Sequence, residues 1–215
     1  MLTNTLMLGG MAAVITVIGA MILAFTRRSH DDLVVRSSVN IATLGYALPG
    51  SVLAVGIMLT FASIDNVLST MARLIGWQSP GQILTGSVFA LVIAYVVRFL
   101  AVAYGPIDSG LSRIRASIAE AARGLGSSPA ATLWRIYLPL LRPGLFTAAL
   151  LVLVDVMKEM PATMLLRPFG WDTLAVRIYE MTSEGEWERA ALPAITLILV
   201  GLIPVIVLVR RSSKH

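Results

Sequence analysis

Apolar blocks long enough to cross a lipid bilayer constrain this chain of 215 residues more than any other feature. A membrane-spanning helix needs about 20 predominantly apolar residues, because the hydrocarbon core of a bilayer is about 30 Å thick. Charged residues make up only 13% of the chain, and its mean hydropathy of +0.82 is atypical of soluble domains. Five blocks reach or approach the required length, at about residues 6–25, 41–61, 83–104, 143–160 and 190–209. We therefore predict an all-α integral membrane protein with five transmembrane helices in a single domain.

The positive charges predict how the chain is oriented in the membrane. Eleven of the 17 Lys and Arg residues fall in segments 27–40 and 105–142 and in the tail 210–215, which five spans place on one side. Arg98, near the end of the third block, is expected to extend its side chain towards the headgroups of that side. Five Lys and Arg residues fall on the other side. Because cytoplasmic loops carry the excess of Lys and Arg, we predict a cytoplasmic C-terminus and an N-terminus outside.

Composition disfavours several classes of function. The pI near 10.1 arises from arginines beside apolar blocks, which indicates membrane topology rather than nucleic-acid binding. The chain has no cysteine, so it forms neither disulfides nor thiolate ligands. Its two histidines, His30 and His215, lie in a loop and at the terminus and form no zinc motif. No Ser/His/Asp arrangement stands out, and we expect no catalytic residues in this chain.

Residues 107–143 form the only long polar segment, and their pattern predicts two helices joined by a turn. Apolar residues recur there at steps of three and four, as on an amphipathic helix: Ile107, Leu111, Ile114, Ile118, Ala122 and Leu125. Gly126 then interrupts the pattern. Ser128 before Pro129 is typical of the start of a second helix, which we expect to end just before Pro139. A segment this polar does not cross a bilayer, so we expect a docking surface.

The same segment resembles the EAA signature of the membrane subunits of binding-protein-dependent ABC importers. All fixed positions of that signature are present at the family's spacing: Glu120, Ala121, Ala122, Gly126, Ile136, Leu138 and Pro139. In that family the segment, here 107–142, carries a coupling helix that docks onto a separate cytoplasmic ATPase. The resemblance thus implies a type I ABC importer core of five helices with a cytoplasmic coupling helix.

Each residue of the signature suits a contact with a partner, although ordinary helix packing explains any one of them alone. The two alanines are small enough for a partner surface to approach closely, and Glu120 offers a carboxylate to a basic group or a backbone N–H. The glycine permits a turn that a side chain disfavours. The residues that end the signature, Ile136, Leu138 and Pro139, are expected to anchor the segment to the spans.

The resemblance also implies cofactors and partners. The chain contains no G-x-x-x-x-G-K-[ST] run, so ATP and Mg²⁺ are expected on the partner ATPase and no cofactor on this chain. The other expected partners are an extracytoplasmic substrate-binding protein at the outer loops, a second permease unit and the lipid bilayer. The implied location is the inner (plasma) membrane of a bacterial cell. An ATP-independent secondary transporter or channel is the alternative from another class.

A narrower resemblance concerns the substrate. Residues 155–170, with the later Ala191-Leu192-Pro193, are similar to the C-terminal half of ferric-iron-type permeases. This similarity implies ferric iron as the substrate, with thiamine, sulfate or molybdate, and phosphonate as alternatives. Members of that type usually carry two homologous halves. A half-sized chain is therefore expected to pair with a second unit, or to be the C-terminal part of a longer protein.

Four residues at membrane depth are candidates for the translocation pathway or its gate. Pro49 lies within the second block, where it either bends a helix that lines the pathway or kinks it for packing. Asp155, Lys158 and Glu159 are spaced to share one helical face, and they either border the pathway or form a structural ion pair. No fixed metal site is predicted; the two carboxylates are weak candidates for contact with ferric iron, which prefers oxygen ligands. Segment 161–189 is expected to form a re-entrant or capping hairpin at the outer mouth.

Overall fold

All regular structure in the described part of the chain is helical. The structure is a computed structural model that describes residues 1–30, 32–78 and 81–212. The helices are α1 (Leu2–Ser29), α2 (Leu33–Thr43), α3 (Gly50–Leu74), α4 (Val88–Ser112), α5 (Ala116–Gly124), α6 (Pro129–Thr132), α7 (Leu138–Met157), α8 (Pro161–Leu166), α9 (Leu174–Ser183) and α10 (Trp187–Ser212). A 3-10 turn, Leu44–Ala47, follows α2, and a π-helical turn, Leu133–Tyr137, joins α6 to α7. The end of the predicted basic tail, with His215, lies outside the described residues.

Five helical stretches are long and apolar enough to cross a membrane, which confirms the predicted fold class. They are Leu2–Ser29, Gly50–Leu74, Val88–Ser112, Leu133–Met157 and Trp187–Arg210. All five are longer than the apolar blocks of the sequence, because a helix continues through polar residues at the membrane surface until a cap ends it.

Helices α1, α4 and α7 form the core of the bundle. Small residues lie where these helices meet, and Ala12, Ala94 and Ala148 are fully buried. Helices α4 and α7 approach closely, since a Cβ atom on Gly144 would lie 3.0 Å from the carbonyl oxygen of Pro106. Lipid tails are as apolar as the side chains, so close van der Waals contact of this kind is what associates helices in a membrane.

Contacts along the chain distinguish the two ends of the bundle. At one end, which we call the basic end, Arg28 of α1 donates hydrogen bonds to the carbonyl oxygens of Leu111 and Ile114, where α4 ends. At the opposite end, Asn4 of α1 donates a hydrogen bond to the carbonyl oxygen of Asp172 at 3.2 Å. Helices α1 and α4 therefore run towards the basic end, and α7 runs away from it.

The second predicted span is interrupted rather than kinked. Helix α2 and the 3-10 turn stop short of Pro49, which has φ −57° and ψ 136°, and α3 begins at Gly50. Proline has no N–H to donate and disfavours a helical residue before it, so a new helix that starts after Pro49 replaces a helix that runs through it. The 3-10 turn lies directly on α4, because a Cβ atom on Gly45 would come within 2.0 Å of the carbonyl oxygen of Val97.

The helices at the basic end differ from the predicted ones at two points. Helix α4 continues through Pro106 to Ser112, so the single helix expected from residue 107 to 125 is the last turn of α4 followed by α5. The expected stop before Pro139 is also wrong. A π turn precedes that proline, and the N–H of Leu138 bonds to the carbonyl five residues back. A continuous helical rod therefore joins α6, the π turn and α7.

Helices α3 and α10 lie at the periphery of the bundle. Only 17% of the apolar window of α3 and 6% of that of α10 is buried within this chain. Helix α10 packs mainly against α9 and α7. Their exposed faces are rich in Leu, Ile and Val, so they suit contact with lipid or with another membrane chain.

Candidate functional site

The predicted coupling segment presents a mixed polar and apolar surface at the basic end. Glu120 and Ala121 of α5 are exposed, whereas Ala122 is buried. Leu125 is 87% exposed and Trp134 is 67% exposed. The prediction that Leu125 continues the apolar stripe of an amphipathic helix is wrong, because it lies in the turn after α5 and not on the regular helix. This surface is therefore more apolar than the sequence pattern indicated.

Gly126 ends α5 with a conformation that requires glycine. Its φ is +79°, and the N–H of Ser127 donates to the carbonyl oxygen of Ala122 at 2.9 Å, which is the hydrogen bond of a Schellman cap. A Cβ atom at this position would meet nothing within 4 Å, so backbone conformation and not space selects glycine. The side chain of Ser128 accepts a hydrogen bond from the N–H of Ala131 (3.2 Å), as expected of the predicted cap of the next helix.

The segment returns to the bundle through Tyr137. Of the three predicted anchors, Ile136 and Leu138 are half-buried and Pro139 is exposed. The ring of Tyr137, which the signature does not mark, packs edge-on against Phe25 of α1 with ring centroids 5.2 Å apart. Its place between the signature residues is the only sequence signal that could have indicated this contact.

Arg28 ties both ends of the segment to α1. Its guanidinium donates to the carbonyl oxygens of Leu111 and Ile114, at the end of α4, where a helix leaves its last acceptors unpaired. The same guanidinium lies 5.3 Å from the ring centroid of Tyr137. From the sequence Arg28 is only one of the charges that indicate topology, whereas in the structure it holds the base of the predicted coupling segment.

A second polar cluster lies where the 3-10 turn ends and α3 begins, and we call it the inner junction: Leu48, Pro49, Gly50, Arg98 and Glu159. Nε of Arg98 lies 3.0 Å from Oε2 of Glu159, and Nη1 of Arg98 donates to the carbonyl oxygen of Leu48 at 2.6 Å. The side chains of Arg98 and Glu159 are only 18% and 7% exposed. The expectation that Arg98 reaches the headgroups is therefore wrong. Its guanidinium turns inward because the carboxylate of Glu159 and the carbonyl oxygen of Leu48 lie within reach.

Glu159 connects several elements through its two oxygens. Besides the contact with Arg98 on α4, its Oε1 accepts a hydrogen bond from the N–H of Ala162 at the start of α8 (3.2 Å). A Cβ atom on Gly50 would lie 2.6 Å from the same oxygen, so glycine at the start of α3 leaves room for the carboxylate. The structure thus brings together two of the predicted pathway residues, Pro49 and Glu159, and adds Arg98 as their partner.

The three charged residues predicted to share a helical face separate into two groups. Helix α7 ends at Met157, so Glu159 leaves the helix and turns towards Arg98. Lys158 stays beside Asp155, with its Nζ 2.8 Å from Oδ1, and this hydrogen bond raises the pKa of Lys158 above its ordinary value.

Both carboxylates that were weak candidates for iron contact thus have basic partners. Within the described ranges no three Asp, Glu or His side chains come together as a metal site. An ion-pair role describes both contacts, and a role of these residues in the pathway stays a prediction.

Segment 161–189 forms two short helices at the opposite end, α8 and α9. With six and ten residues they are too short to cross a membrane. Arg167, between them, pairs with Glu180 at 2.7 Å, and the N–H of Leu174 donates to the side chain of Thr5 at 3.0 Å. The first contact holds the hairpin together and the second fastens it to the start of α1. A capping role at the outer mouth stays a prediction.

Comparison with known proteins gives a family match over nearly the whole chain. The model of the family described as "Binding-protein-dependent transport system inner membrane component" matches residues 15–212. A putative 2-aminoethylphosphonate transport system permease protein of Salmonella typhimurium is 31% identical over 153 residues, which are 71% of this chain and 58% of that protein. An Fe(3+)-transport system permease protein of Haemophilus influenzae is 26% identical over 212 residues, which are 99% of this chain and 39% of that protein. The chain spans about half the length of the curated relatives it matches.

A solved structure shares the fold. The chain is similar to a protein in the crystal structure of a bacterial alginate ABC transporter in complex with an alginate pentasaccharide-bound periplasmic protein. The TM-score is 0.72, the sequence identity is 18%, and the match covers 99% of this chain and 77% of the other. At this identity the likeness shows that the arrangement of helices is the same.

Proposed function

The chain belongs to the family of binding-protein-dependent transport system inner membrane components, multi-pass proteins of the inner membrane, and on that premise we propose that it is the permease subunit of an ATP-driven importer. In this proposal an extracytoplasmic binding protein delivers the substrate to the outer loops. The substrate passes between this chain and a second permease unit. Separate ATPase subunits, which bind ATP and Mg²⁺, dock on segment 107–142.

The observation that carries the proposal is an exposed apolar and acidic surface on a segment that is fastened to the bundle. Leu125 and Trp134 expose most of their side chains on the same segment that carries the exposed Glu120, at the basic end. Exposed apolar side chains of this kind, tryptophan above all, are typical of protein interfaces. Because Arg28 holds the base of the segment, a partner that moves the segment also pulls on α1 and α4.

The helical rod supplies a route from that surface to the inner junction. A partner that displaces α6 displaces α7, since the π turn leaves no flexible connection between them. Helix α7 has 20 residues and is therefore about 30 Å long. It ends beside Glu159, so we assign the gate of the pathway to Pro49, Asp155, Lys158 and Glu159, as the sequence suggested.

The positive-inside rule supports the orientation. Arginines concentrate at the basic end, where Arg27, Arg28 and segment 107–142 lie, so we place this end in the cytoplasm. The N-terminus then lies outside and the C-terminus inside. The hairpin of α8 and α9 faces the outside, where a binding protein docks.

Ferric iron is the substrate that we propose. The relative named for Fe(3+) transport matches this chain over 99% of its length, whereas the relative named for 2-aminoethylphosphonate is more similar but matches 71%. A pathway needs weak contacts that release the ion, so the paired carboxylates Asp155 and Glu159 suit transient oxygen contacts better than a fixed site.

Reconstitution tests the function and the substrate together. The chain is placed in proteoliposomes with its binding protein and its ATPase, and ATP hydrolysis and uptake are measured for ferric iron, 2-aminoethylphosphonate, thiamine, sulfate and molybdate. We expect stimulation by the binding protein loaded with ferric iron. Stimulation by one of the other compounds corrects the substrate only. Uptake that proceeds without ATP overturns the importer and supports a secondary transporter or channel.

A pair of glycine variants tests the coupling segment. Gly126→Pro should abolish transport and ATPase stimulation, because proline requires φ near −65° and Gly126 has φ +79°. Gly124→Ala is the matched control, since that glycine is helical and a Cβ atom there meets nothing within 4 Å. Both variants should still insert into the membrane. Normal uptake with normal ATPase stimulation in Gly126→Pro would remove the coupling assignment.

A further inference from the structure

A groove of about 1330 Å³ opens at the basic end between α4, α7 and α10. Its walls include Pro106 of α4, Leu151 of α7 and Leu208 of α10, and Arg113 and Arg142 also line it. Part of this lining, including both arginines, belongs to segment 107–142. The exposed side chains that we assign to the coupling surface, Glu120, Leu125 and Trp134, are not among the lining residues, so the groove is a separate face of that segment.

The groove is basic at its mouth and apolar along its depth. Arg113, just after the end of α4, and Arg142, in the first turns of α7, are both exposed. From Arg142 to Leu151 the wall of α7 is nine residues long, which corresponds to about 13 Å along a helix axis. Thr147, on this wall, donates its hydroxyl to the carbonyl oxygen of Pro143 within the helix, so it presents little polarity to the groove.

The charge of the groove determines whether it attracts an anion or a cation. Among the described residues that line it there is no Asp or Glu, so Arg113 and Arg142 have no carboxylate partner within the groove. Two guanidinium groups at one mouth attract an anion, and the planar donor fork of arginine suits phosphate oxygens. A free anion would leave the apolar wall below the mouth empty.

We propose that this groove binds one anionic phospholipid of the leaflet at the basic end. Its phosphate lies between Arg113 and Arg142, and an acyl chain descends along α7 towards Leu151. Basic pockets between transmembrane helices on the cytoplasmic side are suited to acidic headgroups, and the cytoplasmic leaflet carries anionic lipid. The lipid adds packing for α10, of which little is buried within this chain.

The test measures which lipids stay bound to the purified chain by native mass spectrometry. Phosphatidylglycerol and phosphatidylcholine with identical acyl chains are offered in equal amounts. We expect phosphatidylglycerol to be retained with a preference of roughly tenfold or more, given two arginines near the headgroup. Arg113→Gln/Arg142→Gln should reduce the preference to below about twofold, and Arg113→Lys/Arg142→Lys should keep most of it.

A charge-matched control separates the groove from the general basic charge of the segment. Arg115 and Arg135 are exposed in the same segment and do not line the groove. Arg115→Gln/Arg135→Gln removes the same number of charges, and its lipid preference should remain that of the unchanged chain. An equal loss in both double variants overturns the site, because the preference would then reflect net charge. Circular dichroism of each variant verifies that the helices are formed.

A further variant separates the lipid from free phosphate. Thr147→Trp fills the apolar wall without touching the arginines, so it should abolish retention of phosphatidylglycerol. Inorganic phosphate, offered alone, should bind weakly to the unchanged chain and equally to this variant. If Thr147→Trp still retains phosphatidylglycerol, the apolar wall does not hold an acyl chain. The arginines then bind only the phosphate, and the lipid proposal is overturned. If phosphatidylcholine is retained as well as phosphatidylglycerol, the proposal is overturned. It is also overturned if the chain is found as a lipid-free dimer, because a second copy would then fill the groove.

Discussion

The coupling segment and the inner junction are two polar regions in an otherwise apolar chain, and they differ in how their polar groups are satisfied. At the inner junction the carboxylate of Glu159 has Arg98 and the N–H of Ala162 as partners, and its side chain is 7% exposed. On the coupling segment Glu120, Leu125 and Trp134 are exposed at the surface. The junction is complete within this chain, whereas on the proposed function the segment is completed by another molecule.

This difference shows that a charged residue in an apolar chain has one of two roles, depending on whether it is buried or exposed. A buried charge must be paired within the chain, because removal from water is costly for an isolated ion. An exposed charge beside an exposed apolar residue has no such requirement and is available to a partner. Substitutions at the junction should therefore change folding first, and substitutions on the segment should change assembly first.

The largest expected effect on folding is that of Glu159→Ala. It leaves the guanidinium of Arg98 buried without its anion, which is expected to cost about 3–5 kcal/mol in the free energy of unfolding. Thermal unfolding in detergent measures the loss. Asp155→Ala is the control, because its partner Lys158 is 66% exposed, and such pairs contribute less than about 1 kcal/mol.

The junction also predicts a partial rescue. Arg98→Met/Glu159→Leu removes both charges and should be more stable than Glu159→Ala, since apolar replacement of a whole buried pair is often neutral. If the double variant unfolds at a lower temperature than the single one, the pair is not the source of the loss.

Arg28→Ala should have an intermediate effect that is confined to the base of the segment. It leaves the carbonyl oxygens of Leu111 and Ile114 without a charged donor, and hydrogen bonds to charged groups contribute about 1.5–3 kcal/mol. Hydrogen exchange should become faster in residues 111–137 and remain unchanged around α8. Uniformly faster exchange would show that the two regions are not independent.

The smallest effect on the isolated chain is expected for Trp134→Ala. This side chain is 67% exposed, and such surface substitutions usually change stability by less than about 0.5 kcal/mol. Binding of the ATPase should weaken by about tenfold or more, because tryptophan is enriched among the residues that dominate interfaces. Trp77→Ala is the control, since Trp77 is 73% exposed but lies in the connection between α3 and α4. Unchanged affinity in Trp134→Ala would show that the partner binds elsewhere.

The features that the sequence predicted correctly are those that depend on a pattern of neighbouring residues. Apolar length indicated the five spans, Gly126 the turn after α5, and the pair Ser128–Pro129 the start of the next helix. Each of these rests on residues that are neighbours in the chain, so no knowledge of packing was needed.

The partners of charged groups were not predictable in the same way. Arg98 and Glu159 are 61 residues apart, and no spacing rule connects them. The sequence therefore assigned Arg98 to the headgroups and Glu159 to a helical face with Asp155. The prediction for Leu125 was wrong for a related reason. Its exposure depends on where α5 ends and not on the spacing of the apolar residues.

The π turn sets how far α6 is rotated about the helix axis relative to the far end of α7. Successive residues of an α-helix are rotated by about 100° around its axis, because the helix has about 3.6 residues per turn. A π turn carries one residue more than an α-helical turn would, so the turn at 133–137 fixes an angular phase between α6 and the end of α7. A chain that lost one uncharged residue of this turn would keep every charge and five apolar helices, yet it would direct its coupling surface to a different quarter of the bundle.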